Sequence, residues 1–215
     1  MIPLLHDFSG ATVLVFGGGT VGARKARRFA SEAEVIVVSP EFADTNFGDV
    51  ERVREAPDAE AAREWIDRTD PALVVAATDN GDLNAAVADA ARDHGALVNR
   101  TDVAGDRDPE SVVVPATVRD GPVTLAVATG GTSPALSKHL RERFEDDYGG
   151  VGELAELTAD LRETLKNEGV PPEERRSAVR SVVRSSRVWK ALDSPSGNLG
   201  QVATDVIDEH TGDLS

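Results

Sequence analysis

The chain contains no cysteine. That excludes disulfides, thiolate zinc sites, iron–sulfur clusters and a cysteine nucleophile together. Lysine is scarce, 4 residues against 19 arginines. The four histidines, His6, His94, His139 and His210, are scattered rather than grouped as ligands, so no metal site is expected. No apolar run is long enough to span a bilayer, and the N-terminal residues lack a signal-peptide core, so a soluble cytoplasmic protein is expected. Internal repeats and low-complexity segments are also missing.

Acidic residues are abundant, 38 against 23 basic ones, giving a net charge of −15 over 215 residues. General nucleic-acid binding needs a basic footprint and is disfavoured. A high-salt cytoplasm would suit such a chain, because screening weakens repulsion among surface carboxylates while net charge maintains solubility. An ordinary acidic protein is the alternative.

The stretch "VLVFGGGTVGARKARRF" carries the first functional signal. Thr12 to Phe16 are apolar or β-branched and bounded by glycine, which predicts a buried strand. From Val21 the pattern turns helical, with Val21, Ala26, Phe29 and Ala30 available for one face and Arg24, Lys25, Arg27 and Arg28 for another. Between them Gly17, Gly19 and Gly22 fit G-x-G-x-x-G. There the first glycine makes the turn, the second admits a pyrophosphate and the third allows close helix–strand packing. Free N–H groups of Thr20, Val21 and Gly22 at the helix start would hold the anion.

Further along, "EVIVVSPE" reads as a second buried strand and "DVERVREA" as a short edge element. "DAEAAREWID" reads as a helix capped by Asp58, "ALVVAAT" as a strand, "NGDLNAAVADAARDHG" as a helix closed by Gly95 and "ALVN" as a strand. This alternation predicts an α/β, Rossmann-type doubly wound parallel sheet over residues 1–111. After a polar loop come two β-rich runs, "VVVPATVRDGPVTLAVAT", flanking Arg119-Asp120-Gly121 in a hairpin pattern. Ser133 as N-cap and Pro134 at the first helical position open the next helix. Residues 112–147 are expected to form a β-containing dimerisation segment, whose apolar strands a second subunit would cover. Residues 148–215 read as a small helical C-terminal domain.

Ligands of doubly wound sheets sit beyond the carboxyl ends of the strands. The second strand presents Ser39, Pro40 and Glu41, about 20 residues after the glycines, where an acid usually accepts from the adenosine ribose. Glu41 would repel a 2′-phosphate, favouring NAD over NADP, although a solvated loop glutamate is the plain alternative. The fourth strand ends at Thr78 and Asp79, with Ala76 and Ala77 leaving room for a flat cofactor; Asp79 also suits a helix cap. The fifth places Asn99, Arg100 and Asp102 on the same rim.

Three blocks together resemble the precorrin-2 dehydrogenase family, also found as the N-terminal part of multifunctional siroheme synthases. They are "PLLHDFSGATVLVFGGGTVGARKARRF", "VVAATDNGDLNAAVADAARDHGALVNRTD" and "VVVPATVRDGPVTLAVATGGTSPALSKHLRERFE", about two-thirds of the chain. The resemblance implies NAD-dependent oxidation of precorrin-2 to sirohydrochlorin by a homodimer, with the family's catalytic aspartate falling on Asp102. Such an oxidation removes a hydride to the nicotinamide and a proton to a base within reach of the macrocycle. Asn99, Arg100, Thr132 and Ser133 are the substrate-binding candidates. For the substrate carboxylates Lys25, Arg100, Arg107, Lys138 and Arg141 are available, each equally readable as a surface charge. The loop before "SVVVPA" is longer than usual in the family and adds Asp106 and Asp108 as competitors of Asp102. Two other readings stay open: a bifunctional dehydrogenase and ferrochelatase, and a non-catalytic NAD-sensing module.

Overall fold

The computed structural model describes residues 2–103, 111–194 and 197–212. Two compact units divide the chain, Met1–Val114 and Pro115–Ser215. In the first, β1 (Thr12–Phe16), β2 (Glu34–Ser39), β3 (Glu51–Arg54), β4 (Leu73–Ala76) and β5 (Leu97–Arg100) are interleaved with α1 (Thr20–Phe29), α2 (Ala59–Thr69) and α3 (Gly81–His94). All strand pairs are parallel, in the order β3-β2-β1-β4-β5. The chain order reverses between β1 and β4, and such a switch point opens a crevice at the carboxyl ends of the strands.

The central strands are apolar throughout because both of their faces are covered. Val13 and Val15 join Ala23 and Ala26 of α1 on one side, whereas Leu14 and Phe16 join Ala62 and Ile66 of α2 and Val87 and Ala91 of α3 on the other. Each buried Val, Leu, Ile or Phe among them contributes on the order of 1.5–3 kcal/mol in transfer terms. Asp58 accepts from the N–H groups of Glu60 and Ala61 (3.1 and 2.9 Å) and starts α2. Gly95, with φ +91°, ends α3 in the left-handed conformation that glycine tolerates best.

Three local readings change. The N-cap of α3 is Asn80, accepting from Asp82 and Leu83, and Asp79 is left exposed outside the cap. The first apolar run after the polar loop does not enter the hairpin whole. Ser111 bridges Val98 in parallel, Val112 donates to the Val98 carbonyl (2.7 Å), and the Val112 side chain packs in the first unit. Finally, the hairpin pairs Asp120 with Val123, so its turn is Gly121-Pro122 rather than centred on Asp120-Gly121.

The second unit contains that hairpin, β6 (Ala116–Asp120) and β7 (Val123–Val127), followed by α4 (Pro134–Asp147), α5 (Val151–Asn167), α6 (Pro172–Arg184), α7 (Ser186–Leu192) and α8 (Leu199–Gly212). Helix α4 packs against both strands. Along β7 the positions Val123, Leu125 and Val127 are half-buried, while Thr124 and Ala126 are exposed. Leu154, Ala178, Val182, Val188, Leu199 and Ala203 form the core of the last four helices. Among the described residues no helix is long and apolar enough to cross a membrane.

Candidate functional site

The glycine loop joins β1 to α1, and its glycines are required for different reasons. Gly17 has φ +118°, and a Cβ there would lie 2.3 Å from the Ala77 carbonyl oxygen. A Cβ on Gly22 would lie 1.9 Å from the Gly17 carbonyl oxygen, so the first turn of α1 rests directly on the loop. Gly18, outside the motif, is as constrained: a Cβ would meet the Glu41 carbonyl oxygen at 2.1 Å. At Gly19 a Cβ would meet nothing within 4 Å. Packing within the chain does not account for this glycine, whereas an anion settling on the loop does.

Helix α1 begins without a side-chain cap and without an acidic residue in its first turn. Its first helical bond runs from the Ala23 N–H to the Gly19 carbonyl (2.9 Å), leaving the N–H groups of Thr20, Val21 and Gly22 ahead of it. Thr20 and Val21 are exposed. Uncapped N–H groups, a favourable helix dipole and open space at Gly19 fit the pyrophosphate of a dinucleotide.

The loop after β2 is drawn onto the glycines. Ala43 donates its N–H to the Gly18 carbonyl (2.8 Å), and the buried Ser39 hydroxyl donates to the Glu41 carbonyl (2.7 Å). Ser39 therefore shapes the loop, and Pro40 and Glu41 remain exposed on it.

Beyond β4, Thr78 is held by Asn84 of α3, a fully buried residue without an obvious sequence signal. The Thr78 hydroxyl and N–H both donate to Asn84 Oδ1 (2.7 and 3.1 Å), while the Asn84 amide donates to the Thr78 carbonyl (3.0 Å). This closed set of bonds fixes the strand end that the sequence assigned to the cleft.

At the end of β5, Asn99 is buried and donates from Nδ2 to the Val112 carbonyl (2.7 Å); its Oδ1 has no hydrogen-bond partner among the described residues. A buried acceptor left in this state costs about 1–3 kcal/mol. Arg100 grips Asp102 through two bonds, Nε to Oδ1 (3.2 Å) and Nη2 to Oδ2 (2.7 Å). The Arg100 guanidinium beside it holds the Asp102 carboxyl below the usual carboxylate range, with a smaller contribution from Asn84 and a partial offset from burial. A Cβ on Gly81 would lie 3.8 Å from Asp102 Oδ2, so the start of α3 backs the carboxylate. Asp106, Arg107 and Asp108 lie outside the described residues.

The first unit thus brings together the glycine loop, the Glu41 loop, Thr78 and the Asn99–Asp102 rim. Thr132 and Ser133 belong to the second unit, where they build the start of α4. Ser133 Oγ accepts from the Leu136 N–H (3.3 Å), and the Thr132 hydroxyl donates to the Thr129 carbonyl (2.6 Å). Thr129 organises the turn, with its hydroxyl 3.0 Å from the Ser133 carbonyl and 2.9 Å from the Ser137 hydroxyl. The sequence reading missed Thr129, which stands before two glycines in the left-handed region, Gly130 and Gly131. Of the basic candidates, Lys138 pairs with Glu142 (3.7 Å) and Arg141 with Glu142 and Glu145, all along α4. Lys25 is half-buried on α1. His94 bonds Asp70 (2.9 Å), His6 lies against Phe8 (4.4 Å between ring centres), and His139 is exposed.

A family model described as putative NAD(P)-binding matches residues 4–116. The chain is 31% identical to a precorrin-2 dehydrogenase of Methanosarcina barkeri, covering 97% of this chain and 94% of that protein. It is 36% identical to a siroheme synthase of Methylococcus capsulatus over 81% of this chain but only 36% of that longer protein. A solved structure titled SirC, precorrin-2 dehydrogenase, shares the fold with a TM-score of 0.69 at 22% identity, covering 97% of this chain and all of that one.

Proposed function

This chain belongs to the precorrin-2 dehydrogenase family, and from that premise we propose that it oxidises precorrin-2 to sirohydrochlorin, as a cytoplasmic homodimer using NAD. The observation that carries the cofactor half of this reading is the uncapped start of α1 over the open space at Gly19. When bound, the nicotinamide supplies a hydride acceptor. The protein's own part is to seat the dinucleotide and to take the accompanying proton.

Seating falls to the N–H groups of Thr20, Val21 and Gly22 for the pyrophosphate and to Glu41 for the adenosine ribose. The Ser39 bond fixes the Glu41 backbone beside Gly18, which favours a carboxylate in reach of the ribose hydroxyls. The same charge opposes a 2′-phosphate, hence NAD rather than NADP. Thr78, locked by Asn84, and exposed Asp79 border the nicotinamide end.

Asp102 is the base in this reading. Its carboxylate is ionised at neutral pH, stands at the end of β5 and takes the proton released as the hydride leaves. Asn99, three residues earlier in β5 and with an unpartnered carboxamide oxygen, is the acceptor assigned to the substrate. The deciding experiment incubates the purified chain with precorrin-2 and NAD and follows NADH absorbance. Tight NAD binding without NADH formation would favour a nucleotide-sensing module instead.

A further inference from the structure

We propose that Arg100 is a positioning residue of this reaction, holding the Asp102 carboxylate ionised and in one orientation when an acidic substrate arrives. The inference rests on the assignment of Asp102 as base. It starts from local geometry. Thr101 donates its N–H to the Ala76 carbonyl (3.0 Å), and the chain bends over Thr101 and Asp102 directly after β5. The bend leaves Arg100 and Asp102 side by side, and the planar guanidinium meets both carboxylate oxygens.

The pair is shielded. The side chains are 19% and 26% exposed, and Gly81 closes in behind Oδ2. A two-point contact between partly shielded groups fixes orientation as well as charge, which a single exposed contact does not. Among the described residues, Arg100 acts on Asp102 by hydrogen bond and charge, the Asp102 backbone N–H and Asn84 add hydrogen bonds, and burial opposes them. Asp79 and Asp82 are the other carboxylates near Gly81 on α3 and the loop before it.

The arrangement answers a specific electrostatic demand. A macrocycle bearing many carboxylates raises the pKa of any carboxyl group it approaches, because like charge disfavours ionisation. An unsupported aspartate would tend to take up a proton on substrate binding and lose its function as base. Arg100 opposes that tendency from the protein side. Two of its bonds take both oxygens of Asp102, the contact that a positioning role requires.

The test is a carboxyl-carbon NMR titration of Asp102, assigned by comparison with Asp102→Asn, in the wild-type protein, Arg100→Gln and Arg100→Lys. Steady-state kinetics on the same proteins accompany it. The wild-type midpoint should lie below the ordinary aspartate range, Arg100→Gln should raise it by about one pH unit or more, and Arg100→Lys should fall between. Arg100→Gln should lower kcat with little change in KM, and the acid limb of its pH profile should move up with the midpoint. An unmoved midpoint overturns the proposal, as does a raised KM with unchanged kcat, which would make Arg100 a substrate anchor. If Arg100→Gln does not fold, an ordinary midpoint in the wild-type protein suffices to overturn it. Full activity of Asp102→Asn would instead remove the base assignment, and the positioning role with it, whatever the titration shows of the ion pair.

Discussion

The Gly17 carbonyl oxygen lies 1.9 Å from where Gly22 would carry a Cβ, so the two ends of the glycine motif are in backbone contact. Gly19, between them, faces open space. The same spacing thus holds two kinds of glycine, one closed in by the chain's own backbone and one open.

These kinds should separate in experiment. Gly19→Asp should leave thermal stability nearly unchanged while abolishing NAD binding, because its side chain enters the anion site with a repelling charge. Gly22→Ala should destabilise the protein itself by on the order of 1–3 kcal/mol through overpacking. Calorimetric titration and thermal melts read the two effects; a Gly19→Asp protein that binds NAD normally would remove the glycine-loop assignment.

For catalysis, Asp102→Asn keeps size and much of the hydrogen bonding but cannot accept a proton. Turnover of precorrin-2 should fall by roughly 10²-fold or more, with NAD affinity unchanged. Asp106→Asn and Asp108→Asn should remain active. A large loss in either of those instead would move the base into the loop.

Cofactor preference should depend on Glu41. Replacing it with arginine should weaken NAD and improve NADP, since the new guanidinium suits the 2′-phosphate that the carboxylate repels. The ratio of kcat/KM for the two cofactors measures this, and an unchanged ratio would detach Glu41 from the ribose.

Much of this site was readable because its signals are local. Glycine spacing after a strand, Ser39 to Glu41 with the acid a residue or two later than usual, and the acid at Asp102 all lie on short continuous segments. Asn84 was not readable, since its role depends on a strand end folded back over its helix. Asp79 and Asn80 are both competent caps, and only the backbone path decides for Asn80. Val112 was misplaced for a related reason. An apolar run fits a hairpin or a parallel neighbour equally well, and here Val98 supplies the neighbour. The glycine–proline turn escaped notice because Asp120-Gly121 carries the stronger local pattern, although register pairs Asp120 with Val123.

Dimerisation is tested on the face of β7 that α4 leaves open. Thr124 and Ala126 are exposed there, whereas Val127 is half-buried, so a charge at Val127 would damage the fold as well. Ala126→Glu should give a folded monomer if a second subunit covers this face. Light scattering showing a folded wild-type monomer at micromolar concentration would contradict the dimer outright.

The acid response of the ion pair has a definite sign. Asp102 has a lowered pKa in the folded protein, so its contribution to stability is present above the unfolded-state pKa and disappears as pH falls through the folded one. The melting temperature of Arg100→Gln should therefore lie below that of the wild type near neutral pH, and the gap should close in strong acid. A gap of constant size across that range would mean that Arg100 stabilises the fold by packing alone.

The parallel bridge from Ser111 to Val98 has an engineering consequence. Thr101 is tied to Ala76 and Val112 to Val98, so the chain leaves the sheet and rejoins it at neighbouring points. Replacing Val112 with proline would remove the second tie and should loosen the rim at Asn99, whose amide donates to the Val112 carbonyl, while the pairing of β4 with β5 stays intact.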